Sequence, residues 1–280
     1  MRAAIARLRS AAWLGWQIDT NWADPFLFIV YSLLRPIATG LILAGMYWAV
    51  SSRVPARGMF TALYLGNAFH NFVTQVVIGM GWIVLEEREE YETLKYVFTS
   101  PLGLPMCLAG RSVVKLAIAM FGVVVVMAVG WFALHLTWDW REVRWPELSL
   151  ALALGVVATV SVGFLVAGLG LLLPRPAIQI NEGLAVALYL MCGVIFPIDL
   201  LPAWLQSIAL ALPFTLWYEA LRRFLLGHGA SARISHWSDA TLLGALALST
   251  LAFVAIGRLG YFALETRARR LGRLDQTTLF

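Results

Sequence analysis

The sequence predicts an all-α integral membrane protein. It would have six transmembrane helices, an N-terminal amphipathic interfacial helix, a charged cytoplasmic helix after the second span and a re-entrant helical hairpin before the sixth. Three observations predict it. The 280 residues are 60% hydrophobic and 13% charged, with a mean hydropathy of +0.78, more apolar surface than a soluble core of this length hides. Several runs reach the ~20 residues with which a helix crosses ~30 Å of hydrocarbon. One dense run of charge, EEREEYETLKYVFTSP from Glu86 to Pro101, falls between two such runs and must lie in water. Five of its first seven residues are carboxylates: Glu86, Glu87, Glu89, Glu90 and Glu92.

The elements follow in order. Residues 1–23 read as an amphipathic helix at the interface. Ile5, Leu8, Ala12 and Trp16 share one face, while Arg2, Arg7 and Arg9 can reach lipid phosphate. Asp24-Pro25 marks the start of the first span, which runs to about Val50. Arg35-Pro36 inside it joins a kink to a charge costing about 2.5–3.5 kcal/mol at a span centre, so the side chain snorkels or faces protein. A loop with Arg53, Pro55 and Arg57 leads to the second span, about 60–85, and then to the charged insert. Tyr91, Leu94 and Phe98 fall on one face of the insert at helical spacing. Its carboxylates stand near a helix start, where the macrodipole favours them.

Pro101 and Pro105 break the chain before the third span, about 106–135, whose entry carries Arg111 and Lys115 one turn apart. The Trp-rich loop LTWDWREVRWPE suits an interface. The fourth span, about 147–173, holds Gly155, Gly163, Gly168 and Gly170 for close helix contact. After the turn LPRPAIQINE comes the fifth, about 177–196. Pro197, Pro202 and Pro213 then cut an apolar stretch into pieces of about ten residues, too short to cross. Two short helices at about 199–226, dipping into the outer leaflet and packed on the bundle, satisfy the backbone. The last span is about 240–264, closing a membrane domain of 24–265, and 266–280 form a basic tail.

Six spans put both termini on one side. That side carries the larger set of Lys and Arg, so termini and charged insert are expected to be cytoplasmic. The net charge of +5 fits loops facing anionic lipid, and no basic patch interleaved with aromatics points to nucleic acid. Cys107 and Cys192 are far apart in apolar surroundings, the four His are scattered, and no metal spacing or disulfide framework follows. His70 reads as a hydrogen-bonded packing residue. The N-terminus lacks the apolar core of a cleavable signal peptide. No phosphate-binding loop, H-E-x-x-H or G-x-S-x-G is present, so no catalytic residue is assigned. The spans are poor in acids, which argues against ion-coupled carriage. What remains is a membrane body without a fuel site and a charged helix on which a separate engine could dock.

Two stretches give this body a resemblance. E-R-E-E-Y-E-T-L-K-Y-V-F-T-S-P, from Glu87 to Pro101, looks like the E-R-E-x-G-T-L-x-x-L-x-x-[ST]-P element of type-2 ABC-transporter permeases. Glu87, Arg88, Glu89, Thr93, Leu94, Ser100 and Pro101 match, and Tyr91-Glu92 stand where many members have one Gly. GVIFPIDLLPAWLQSIALALPFTLWYEALRRFLLG, from Gly193, looks like the family's G-x-x-F-P-x-x-x-L-P-x-W-x-Q pattern followed by P-x-T and E-A-x-R.

The resemblance implies a permease subunit of an ABC exporter in the cell (inner) membrane, without enzymatic activity of its own. Two copies would form a homodimer with the pathway between them, served by two copies of a separate ATP-binding subunit. This chain would bind no cofactor; ATP and Mg would sit on the partner. The amphipathic N-terminal helix would be the connecting helix. Residues about 86–98 would be the coupling helix, with Glu87, Arg88, Glu89, Tyr91, Leu94 and Phe98 meeting the partner. The hairpin would line the outer exit, where Glu219, Arg222 and Arg223 form a polar gate or are ordinary interfacial charges. Phe69, Phe72, Tyr189 and Phe196 line the pathway or pack helices. Narrow, apolar, acid-poor spans suit an amphipathic or lipid-like cargo such as a drug, natural product or glycolipid. A polysaccharide export permease is the alternative cargo reading, and a lipid-modifying membrane enzyme or a passive channel the alternatives of class.

Overall fold

The computed structural model describes residues 2–21, 25–50, 57–136 and 138–275. Among them every regular element is helical. Of the expectations above, those on Asp24, Arg53, Pro55 and residues 276–280 lie outside the described residues, as do the side chains of Arg2, Ile5, Arg35 and Arg57.

Helix α1 (Arg2–Asn21) precedes α2 (Pro25–Val50), which contains Pro36, and α3 (Arg57–Leu85). A wide π-turn (Glu86–Glu90) continues α3, followed by the short α4 (Leu94–Thr99). Then come α5 (Gly103–Phe132), α6 (Trp145–Leu172) and α7 (Ala177–Met191). Helices α8 (Ala203–Ala211) and α9 (Pro213–Leu226), the one-turn α10 (Ala232–Ser235) and α11 (Asp239–Arg270) complete the chain.

Among the described residues, four helical stretches are long and apolar enough to cross a membrane: Gly58–Glu90, Gly103–Phe132, Trp145–Leu172 and Asp239–Arg270. Pro36–Ala49 and Ala177–Met191 are apolar but shorter. Two expected boundaries are corrected. The third span ends at Phe132 rather than near 135, because the chain turns there and His135 takes φ 52°. The fifth ends at Met191 rather than 196, because Gly193 at φ 73° reverses the chain before Pro197. A β-carbon at residue 193 would be strained at that angle, so glycine fits this turn.

Helix α3 is the axis of the core. From Phe60 to His70 every residue is buried, and α2, α5, α6, α7 and α9 surround it. Helices α6 and α11 run parallel at close range. A β-carbon on Gly257 would lie 2.4 Å from the Ser161 carbonyl oxygen, and one on Gly168 3.3 Å from the Tyr261 Cα. Small residues let two spans approach backbone to backbone and so gain dispersion contact. Where the hairpin was expected the chain forms two short helices, α8 after Pro202 and α9 from Pro213. Helix α8 buries only Ala209, whereas α9 packs on the bundle. Twelve of the fourteen residues of α9 are buried, Trp217 among them, whose indole occupies the space a side chain at Gly155 would need.

Candidate functional site

The charged insert is not one helix over 86–98. Helix α3 first widens, with the Tyr91 amide donating to the Glu86 carbonyl at 2.9 Å, five residues back. A π-turn holds one more residue than an α-turn. One residue is also the length by which Tyr91-Glu92 exceeds the single Gly of the resembling element. Glu92 then takes φ 51°, a left-handed angle uncommon outside glycine, and α4 begins at Leu94 in a new direction.

The carboxylates of the turn therefore stand at the C-terminal end of α3, not at a helix start. There the macrodipole opposes them, and cations must compensate. Arg111, fully buried on α5, supplies the compensation. Its guanidinium donates to Glu87 Oε1 at 2.9 Å and to Glu86 Oε2 at 2.6 Å, and it lies 3.6 Å from Asp19 on α1. Lys115, one turn further along α5, reaches Asp19 at 2.9 Å. Glu87 also accepts from the Thr93 hydroxyl, which closes the turn on itself. Helix α1 comes close enough for this because its small residues meet those of α5. A β-carbon at Gly110 would sit 2.3 Å from that of Ala11.

Arg88 points the other way. It donates to the Gly170 and Leu171 carbonyls at 2.9 and 3.0 Å, oxygens that the end of α6 leaves without an intrahelical partner. Four of the six residues expected to meet a partner are thus turned inward. Glu87, Arg88, Glu89 and Leu94 are buried in their own chain, Leu94 to 2% exposure. Leu94, expected to meet the partner, packs into the core and anchors α4. Phe98 is half-buried beneath the Arg269 guanidinium, 4.7 Å from its ring centroid. The open face belongs to Glu90, Tyr91, Glu92, Lys95 and Tyr96, the two tyrosines being 41% and 64% exposed. Partial burial and the charges of Glu90 and Glu86 push the Tyr91 phenol above its ordinary range, so at neutral pH it stays uncharged and amphipathic.

The other expected residues separate. Arg222 and Glu219 are buried together, 3.6 Å apart. Arg222 ties α9 to α3 through the Ala62 carbonyl and to the end of α7 through the Gly193 carbonyl, both at 2.8 Å. Glu219 accepts from the Ser231 amide at 3.1 Å. Arg223 points elsewhere and caps the end of α10 through the Ile234, Ser235 and Trp237 carbonyls. The three are not one cluster. Phe69 and Phe72 lie against Trp217, with centroids 5.5 and 5.7 Å away, inside the bundle. Tyr189 donates to Asn67 at 3.1 Å and packs on His70, and Phe196 is half-buried in the turn before Pro197. His70 contacts the Tyr218 hydroxyl at 3.3 Å and that of Thr74 at 3.1 Å, as a packing residue does.

The fold and this insert define a multi-pass membrane protein with a preformed polar element where its spans end. A model of the ABC-2 type transporter family matches residues 11–226. The chain belongs to that family, and is the membrane permease subunit of an ABC transporter, a type that works with an ATP-binding partner. No curated protein matches it significantly.

Proposed function

We propose that the chain is one half of a homodimeric exporter, that two ATP-binding subunits drive it through the turn and α4, and that it moves an amphipathic or lipid-like cargo outward. The six-span reading takes α2, α3, α5, α6, α7 and α11 as the crossings, with both termini and the charged insert cytoplasmic. The observation that carries the reading is the two-sided insert. Its inner side is bonded to α5 and α6 and, through Arg111, linked to α1, and its outer side is left open with two tyrosines and mixed charge. Such a face suits a protein partner, aromatic at its centre and charged at its rim. Glu87, Arg88, Glu89 and Leu94 then act as positioning residues that pass on displacement, and Tyr91 and Tyr96 make the contact.

The pathway reading moves from Phe69 and Phe72 to another face of α3. Between Phe60 and Leu85, Gln75 alone is exposed, and Asn71, Thr74, Gly79 and Trp82 are half-buried. Asn71 meets Thr39 of α2 at 2.9 Å. Neutral amides and hydroxyls on an uncovered stripe of an apolar span are costly against lipid. This supports placing them, with Tyr189 beside them, on a pathway shared with a second copy. Glu219 and Arg222 serve there as a brace for the exit hairpin.

Purification of the tagged chain from native membranes in mild detergent tests the proposal. A co-eluting ATP-binding polypeptide with hydrolytic activity is expected. Tyr96→Asp should lower its recovery at least ~10-fold, as loss of an aromatic anchor does, while leaving the thermal midpoint of the permease unmoved. A chain that purifies alone in full yield, with no nucleotide dependence, overturns it.

A further inference from the structure

The family match ends at Leu226, yet the chain returns to the coupling element after that point. Arg269 lies with its guanidinium 4.7 Å from the Phe98 centroid, and Glu265, one turn earlier on α11, holds it in an ion pair. The chain then turns at Gly272, φ 62°. Arg273 donates to the Leu172 carbonyl, and Leu274 packs against the core. With Arg88 on Gly170 and Leu171, three successive carbonyls at the end of α6 are taken by guanidiniums from two distant segments. Helix α4 needs such support. It has six residues and no side-chain cap at its N-terminus, far below the ~12–15 at which an isolated helix holds together.

We propose that segment 265–274 is a brace that fixes α4 in register with α6, with Arg269 and Arg273 as positioning residues. The brace grips the Phe98 side of α4 while Tyr96 stays open on the other. A load applied to the open face is then passed to α6 and α11 instead of bending α4. The inference rests on reading α4 as the element that faces the ATP-binding subunit.

Hydrogen exchange over residues 94–100 of the full chain in detergent tests it. Arg269→Ala and Phe98→Leu should each speed exchange there at least ~10-fold. Because both remove the Arg269–Phe98 contact, the double variant should fall short of the summed single effects. Phe98→Trp keeps an aromatic face for the guanidinium and should exchange like the parent. Arg273→Ala leaves α11 whole and should also loosen residues 94–100, which keeps the test open if Arg269→Ala fails to fold. Unchanged exchange in Arg273→Ala and Arg269→Ala, or additive effects of Arg269→Ala and Phe98→Leu, overturns the brace. In the assembled complex, Arg269→Ala should retain the ATP-binding subunit yet hydrolyse ATP several-fold more slowly; an unchanged rate with a loosened α4 overturns its functional part. Exchange is read on the permease alone. A brace that stands while no ATP-binding subunit co-purifies would therefore indict the coupling reading, not the brace.

Discussion

Two buried arginines near opposite ends of the bundle are neutralised in different ways. Arg111 faces three carboxylates, on α1 and on the turn after α3, at 2.6 to 3.6 Å. Arg222 faces two backbone carbonyls at 2.8 Å and one carboxylate at 3.6 Å. A carbonyl is fixed to its helix, so Arg222 joins backbones and holds the α8–α9 hairpin in one place. Carboxylates ride on rotatable side chains, so the Arg111 network can re-pair as α1, α3 and α5 shift. Arg111 is thus held by exchangeable ion pairs, and Arg222 mainly by fixed backbone bonds.

The comparison is broken most severely at Arg111. Arg111→Met leaves Asp19, Glu86 and Glu87 clustered without their shared cation, and removing one side of a buried pair costs about 3–5 kcal/mol. The expected result is a large fall in thermal midpoint in detergent. Arg222→Met should cost less, about 3 kcal/mol, because it strands two neutral carbonyls and one carboxylate, Glu219, which keeps the Ser231 amide as a partner. Gly66→Ala should move stability in the same direction, since its β-carbon would lie 2.0 Å from an Arg222 Nη atom and displace the guanidinium. Equal losses at Arg111 and Arg222 would erase the distinction. The smallest effect is expected at Arg144, whose 2.7 Å pair with Asp239 is 40% and 39% exposed. Arg144→Ala should shift the midpoint by only the ~0.2–1 kcal/mol of an exposed pair.

The sequence made the class of fold legible because it is written in runs of apolar residues and in prolines. Pro202 and Pro213 break the hairpin where chain chemistry says they must, and the charged insert stands out against apolar neighbours. The family was legible in the same two places. Which side of the insert faces outward was not. Helical spacing groups Tyr91, Leu94 and Phe98, but the π-turn and the φ of Glu92 reset the phase between Tyr91 and Leu94. Spacing carries no sign of either. Arg111 and Lys115 were visible as a pair one turn apart. Their partner Asp19, an acid in a helix otherwise charged by arginine, was not singled out. Nothing in linear order joins residues 19, 87 and 111; only the packing of α1 on α5 does. Arg269 and Arg273 lay hidden in a run of basic residues that any cytoplasmic tail could carry.

The glycine seam between α6 and α11 has a mechanical consequence. Helices that approach this closely from Ser161 to Gly168, and are tied at both ends, resist sliding and bending independently, so the pair acts as one stiff lever. Its α6 arm has 28 residues, about 42 Å at 1.5 Å per residue. The guanidiniums of Arg88 and Arg273 grip one tip, and the Arg144–Asp239 pair clips the two arms together at the other. A tilt of a few degrees entering at the first tip sweeps the second through several ångströms, with no bond along the shaft needing to break.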